Sequence, residues 1–265
     1  MSGILEKDPR FSAASSTSLG GCPVLAEAVV RERTALISRF LREFVAGFGM
    51  VPTMSARSPA AVTLDVHDLS ARRGGRTIFE NLSFSLKEGS ALMVTGPNGS
   101  GKSTLLRILV GLLRSEAGTI TLTPEDTTEI CYAGHRDGLK GGLSVLENLV
   151  FWAKLYGAGQ DAVNQAVNRM ALDAVLEMPA DMLSAGWRRR AGLARLALGT
   201  ASVWVLDEPY TALDADNVNR IDNLLSEHVT AGGVVVLATH QAPGFTPSHK
   251  INMADYPAKT PEVEW

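Results

Sequence analysis

The sequence predicts an α/β fold built on a parallel central sheet, from three observations. Strand-like and helix-like patterns alternate from residue 61 onward. Residues 203–206 and 234–238 are continuously apolar, as strands covered on both faces require. A short apolar run at 91–95 ends in a glycine-rich loop that opens a helix.

The elements follow in order. Residues 62–67 and 83–86 alternate apolar and polar side chains like half-buried strands. Residues 91–95 form the strand before the glycine loop, and a helix is expected over 102–113. Residues 119–123 and 130–132 read as strands. Helices are expected over 144–157, 163–177 and 184–198, with Ser144 and Glu147 as a capping box for the first. The runs at 203–206 and 234–238 complete the sheet.

Composition bounds what such a chain does. Its 265 residues allow one large or two small domains at roughly 150 residues each. Hydrophobic residues at 45% and charged residues at 20% suit a folded chain with a sizeable core. A net charge of −3 gives no overall attraction to nucleic acid or an anionic membrane. The two cysteines, Cys22 and Cys131, lack metal-ligand spacing, which fits a reducing compartment. No run of 18 apolar residues occurs, so no segment is expected to span a bilayer.

Residues 1–53 read as an extension. Residues 11–21 are rich in Ser, Ala and Gly and suggest flexibility. Between residues 24 and 48, Val29, Arg33, Leu36, Ile37, Phe40, Leu41, Phe44, Val45 and Phe48 recur at steps of three and four, one charge on an otherwise apolar face, predicting an amphipathic helix. Three readings stay open: a helix for a membrane surface or partner, a cleaved signal, or an over-extended gene start with Met54 as the true first residue.

The chemistry-bearing residues cluster after residue 95. Gly96, Pro97, Asn98, Gly99, Ser100, Gly101, Lys102 and Ser103 fit G-x-x-x-x-G-K-[ST] between a strand and a helix. Glycines there let backbone N–H groups curl around a polyphosphate, and the helix N-terminus adds positive potential. Lys102 supplies a point charge for the outer phosphates. The Ser103 hydroxyl is a candidate Mg²⁺ ligand, with Thr104 beside it. About 105 residues further on, the strand at 203–206 runs into Asp207 and Glu208. Asp207 is the candidate second metal ligand and Glu208 the candidate general base. His240, after the last apolar run, is placed to hydrogen-bond a terminal phosphate.

These residues together resemble the ABC ATPase family. The discriminating stretch is Leu183, Ser184, Ala185, Gly186 and Trp187, similar to the family's LSGGQ signature and followed by Arg188, Arg189 and Arg190. Tyr210, Thr211, Ala212, Leu213 and Asp214 resemble its D-loop, and His240 its switch histidine. The resemblance implies a P-loop NTPase (RecA-like) core with an N-terminal antiparallel β subdomain and a small helical subdomain at about 136–199, all within 54–265. It implies ATP and Mg²⁺ as cofactors, with Ser184 and Gly186 reaching the γ-phosphate held by another copy, in a head-to-tail dimer. It also implies a separate transmembrane subunit and a peripheral position on the cytoplasmic face of the inner membrane.

Three departures stand out. Trp187 replaces the signature Gln. Arg136 stands where the family carries a Gln that contacts the metal, and a guanidinium has no lone pair for a cation. Arg73 stands near the position of the aromatic that stacks on adenine, where a guanidinium plane can also stack or simply be a solvated turn charge.

Within the family, residues 132–152, the Leu-Ser-Ala-Gly opening and residues 207–214 are most similar to the ATP-binding subunits of cytochrome c maturation haem exporters. That implies haem-handling maturation proteins as further partners, and either haem export or release of a haem chaperone as the driven step. Another small-molecule exporter remains an alternative. A DNA-associated ABC ATPase fits less well: Lys102 and Ser184 lie 82 positions apart, too close for a long coiled-coil insertion, and no basic stripe occurs. A non-catalytic nucleotide-binding regulator is disfavoured by Glu208 and His240.

Overall fold

The computed structural model describes residues 61–125 and 128–257. The expected helix at 24–48 and the suggested start at Met54 lie outside the described residues.

Two sheets carry the fold. The first is antiparallel, in the order β2-β1-β4, from β1 (Thr63–Arg73), β2 (Arg76–Leu86) and β4 (Ala117–Thr123). The second has the order β5-β6-β7-β3-β8, from β3 (Ala91–Thr95), β5 (Ile130–Ala133), β6 (Val203–Asp207), β7 (Val234–Ala238) and β8 (His249–Asn252). Every pairing in it is parallel.

The continuous apolar runs follow from that placement. Leu92, Val94, Val203, Val205, Val234 and Val236 face one core, with β1, β2 and helix α1 (Lys102–Leu109). The alternate residues Met93, Trp204, Leu206, Val235 and Leu237 face a second core. That core holds the helices α2 (Val145–Leu155), α3 (Gln160–Met170), α4 (Ala185–Leu193) and α5 (Ala215–Thr230). With both faces covered, every residue of β6 and β7 is buried.

Local signals explain several boundaries. The capping box forms as expected: Ser144 Oγ accepts the Glu147 N–H at 3.1 Å, and Glu147 Oε2 accepts the Ser144 N–H at 2.8 Å. The expected helix at 163–177 instead stops at Met170, where Ala171 turns left-handed at φ 47°, and a short 3₁₀ turn (Asp173–Val175) follows. Helix α1 ends at Leu109, before Gly111 at φ 73°, rather than at residue 113. The expected helix at 184–198 is α-helical only to Leu193 and then 3₁₀ over Ala194–Ala197. Helix α5, capped by the Asp214 carboxylate on the Asn217 N–H at 2.9 Å, and strand β8 were not anticipated.

Buried Asn148 fixes the segment between β5 and α2. Its amide bonds the carbonyls of Lys140, Leu143 and Ser144 at 3.1, 3.2 and 2.9 Å, and its oxygen accepts the Lys140 N–H at 2.7 Å. A buried side chain that closes four backbone bonds makes this connection a fixed part of the scaffold.

Candidate functional site

Three neighbouring strands, β6, β7 and β3, point the same way, so their C-terminal ends share one edge of the sheet. The Gly96–Ser103 loop follows β3, Asp207 ends β6 with Glu208 directly after it, and Thr239 and His240 follow β7. In open α/β sheets that edge is where ligands bind.

The loop is built for close backbone approach. Gly96, Gly99 and Gly101 have φ of 137°, 82° and 101°. Gly101 caps α1 in the left-handed region, and a Cβ there would stand 2.7 Å from Ile78 Cγ2. Lys102 is buried and curls back over the loop, its Nζ donating to the Gly96 carbonyl at 2.8 Å and the Pro97 carbonyl at 3.3 Å. Ser100 Oγ lies within the loop, buried and without a hydrogen-bond partner. A donor left unpaired inside a glycine-rich turn matches what an anion would satisfy.

His240 joins the loop to the acids. Its Nε2 lies 3.0 Å from Lys102 Nζ, 3.2 Å from Asn98 Oδ1 and 3.5 Å from Glu208 Oε1. The Ser103 hydroxyl donates to Asp207 Oδ1 at 3.0 Å. The other carboxylate oxygen, Asp207 Oδ2, is buried with no partner. A hydroxyl and an orphaned carboxylate oxygen at one spot form a hard-oxygen donor set suited to Mg²⁺. Glu208 adopts a left-handed backbone at φ 50°, uncommon for a residue with a Cβ, and its N–H donates to the Ala238 carbonyl at 2.8 Å.

The other expected residues stand elsewhere. Ser184 caps α4, its hydroxyl accepting the Trp187 N–H at 3.4 Å, and is exposed. Gly186 lies against the D-loop-like segment, where a Cβ would meet the Ala212 carbonyl oxygen at 2.8 Å. Trp187 lies under the Arg190 guanidinium, 3.7 Å from the ring centroid, and Arg190 reaches Asn217 Oδ1 at 2.7 Å beside Asp214. Ser184 and Gly186 at the start of α4 thus connect to Asp214 only through Trp187, Arg190 and Asn217, and no bond links the three to the phosphate loop among the described residues. Arg73 and Arg136 are both exposed, at the β1–β2 turn and after β5. Thr104 lies half-buried in the first turn of α1.

Arg189 and Asp222 are among the buried polar groups that the sequence does not reveal. Arg189 is nearly inaccessible and bonds the carbonyls of Gly134, Asp207, Glu208 and Pro209 and the carboxylate of Asp137. Asp222 accepts the Tyr210 hydroxyl at 2.5 Å and the Gly244 N–H at 2.8 Å. Burial, reinforced by that carboxylate, holds the Tyr210 phenol well above its ordinary pKa.

A glycine-rich phosphate loop, a strand-end acid pair and a histidine on adjacent strands, with a separate signature helix, define a nucleotide-binding ATPase. The chain belongs to the ABC transporter family, whose sequence profile matches residues 79–211. It is 44% identical to the Cytochrome c biogenesis ATP-binding export protein CcmA of Cereibacter sphaeroides, over 75% of this chain and 92% of that protein. It is 47% identical to the protein of the same name from Rhodospirillum rubrum, over 72% of this chain and 86% of the relative. Among solved structures, an ABC transporter ATP-binding protein from Pyrococcus furiosus superposes with a TM-score of 0.65 at 25% identity, covering 74% of this chain and all of that one.

Proposed function

We propose that this chain is the ATP-binding and ATP-hydrolysing subunit of an ABC haem exporter serving c-type cytochrome biogenesis. The ABC family membership and the CcmA relatives support the reading. The observation that carries the chemistry is the convergence of Lys102, Asp207, Glu208 and His240 on three adjacent strand ends.

On this reading residues 54–265 are the nucleotide-binding domain, with a helical subdomain at about 136–199. The backbone N–H groups of the Gly96–Ser103 loop, Pro97 excepted, and Lys102 hold the β- and γ-phosphates of ATP. Lys102 then exchanges its bonds to the Gly96 and Pro97 carbonyls for phosphate oxygens. Ser103 and Asp207 would hold Mg²⁺, which would neutralise phosphate charge. Glu208 takes a proton from the attacking water, and His240 bonds the γ-phosphate and orients Glu208. Arg73 lies against the adenine. Ser184 and Gly186 serve the ATP bound by a second copy, in a head-to-tail dimer with Asp214 at the junction.

No helix among the described residues is long and apolar enough to cross a membrane. The similarity to CcmA export proteins supports a separate transmembrane subunit and haem-handling proteins as partners, with this chain peripheral on the cytoplasmic side of the inner membrane. Complementation tests the reading. In a bacterium deleted for its own cytochrome c biogenesis ATPase, the chain is expected to restore haem-stained c-type cytochromes, and E208Q is not. ATP turnover by the purified chain without any restoration would point to a different exporter.

A further inference from the structure

The left-handed backbone of Glu208 poses a question of support. At φ 50° a residue with a Cβ is strained, and such a conformation persists only where its surroundings hold it. The Glu208 N–H is held by the Ala238 carbonyl of β7. What holds the carbonyl side comes from α4.

Arg189 reaches β6 from that helix. Its Nη2 donates to the Asp207 carbonyl at 2.8 Å and the Glu208 carbonyl at 2.9 Å. These carbonyls belong to the two peptide planes that flank the Glu208 Cα, so a single nitrogen clamps both. Nε donates to the next carbonyl, Pro209, at 3.3 Å. Nη1 donates to the Gly134 carbonyl at 2.9 Å and to Asp137 Oδ1 at 3.1 Å. The five N–H donors of the guanidinium thus meet five acceptors. Asp137 is held against the same helix at Gly192, where a Cβ would stand 2.6 Å from the Asp137 carbonyl oxygen.

We propose that Arg189 is a positioning residue for hydrolysis: it fixes the peptide planes on either side of Glu208 and so aims the carboxylate that activates water. This rests on the assignment of Glu208 as the base. A planar fork suits the task and an ammonium does not. Lysine has three donors at one point and cannot reach two consecutive carbonyls on β6 as well as the Gly134 and Asp137 acceptors. The ion pair with Asp137 orients the fork from the other side and is secondary to the carbonyl clamp.

The test uses the full-length chain, assembled with its membrane partner, and measures kcat, KM for ATP and affinity for a fluorescent ATP analogue. R189K is expected to lower kcat by about 10²-fold, the scale set by misplacing a catalytic group by roughly 1 Å. KM and analogue affinity are expected to stay within about threefold, since the phosphate loop is untouched. D137N, which leaves the carbonyl clamp in place, is expected to keep kcat near that of the parent. Because Arg189 acts through Glu208, the double variant R189K/E208Q is expected to turn over no slower than E208Q alone. A purely structural role would instead make the two losses multiply.

Unchanged kcat in R189K overturns the proposal. So does a D137N loss equal to that of R189K, which would place the effect in the 134–137 segment, or a multiplicative loss in the double variant. Full turnover by E208Q overturns the base assignment itself and is distinguishable from each of these.

Discussion

Replacing Tyr210 with Phe removes one oxygen atom from the D-loop-like segment and little else. Tyr210 is 5% exposed, and its hydroxyl donates to Asp222 Oδ1 at 2.5 Å. The ring stays, so apolar burial hardly changes and no sizeable cavity opens. What is lost is a hydrogen bond to a buried carboxylate, of the class worth about 1.5–3 kcal/mol. The loss falls at the upper part of that range if Asp222 stays buried, because among the described residues it then keeps only the Gly244 N–H at 2.8 Å. For a folded unit of this size each kcal/mol lowers Tm by about 2–4 °C, so Y210F is expected to melt roughly 3–12 °C lower. Thermal unfolding of the full chain followed by circular dichroism at pH 7 reads the effect directly. A shift under about 1 °C, well below the bond's worth, would mean that Asp222 finds another donor and that the Tyr210–Asp222–Gly244 connection carries no stability.

Other outcomes follow from the same geometry. His228 stacks on Trp204 at 3.7 Å, and burial lowers its pKa to about 4 from the ordinary 6.5. Its neutral form is therefore favoured in the folded chain. Stability is full above about pH 6.5 and falls by up to about 3 kcal/mol on acidification to pH 4; H228Q, which can keep a donor for the Ser202 carbonyl, is expected to flatten that slope in pH-dependent melts. G101A puts a Cβ at φ 101° and 2.7 Å from Ile78 Cγ2, so ATP-analogue binding is expected to fall by at least about tenfold, roughly 1.4 kcal/mol of strain expressed at the loop. Arg136 is exposed on the segment between β5 and α2, so R136A is expected to keep the basal ATPase activity of the isolated chain and weaken its stimulation by the membrane partner.

Much of the sheet was legible because buried parallel strands leave continuous apolar runs, as at Val203–Asp207 and Val234–Ala238. The phosphate loop was legible for a different reason: glycines with positive φ and a lysine at fixed spacing are a local requirement. Helix α5 is legible in principle: Val218, Ile221, Leu224 and Leu225 recur at steps of three and four behind the Asp214 N-cap, the pattern of an amphipathic helix with one buried face. The break at Ala171 was missed because alanine carries no turn signal; the left-handed turn there is imposed by packing, with Met170 and Leu172 both fully buried. Ser103 and Asp207 could be paired from their motifs, 104 residues apart in sequence and 3.0 Å apart in the fold. The roles of Arg189 and Asp222 could not. Three consecutive arginines after the signature stretch do not show in the sequence which are buried; the fold buries Arg189 and Arg190 and sets Arg189 among carbonyls. Asp222 likewise sits in a helix at an unremarkable spacing, and its partners come from segments 12 and 22 residues away.

The assignment of Glu208 as base over an ATP shared between two copies is tested most directly by E208Q. Removing a general base lowers turnover by about 10²–10⁴-fold while leaving the phosphate loop intact. With ATP and Mg²⁺, the full-length E208Q chain is expected to bind nucleotide as the parent does, hydrolyse almost none, and sediment as a dimer that the parent forms only transiently. An E208Q chain that hydrolyses ATP at the parent's rate, or that stays monomeric with nucleotide bound, would contradict the assignment.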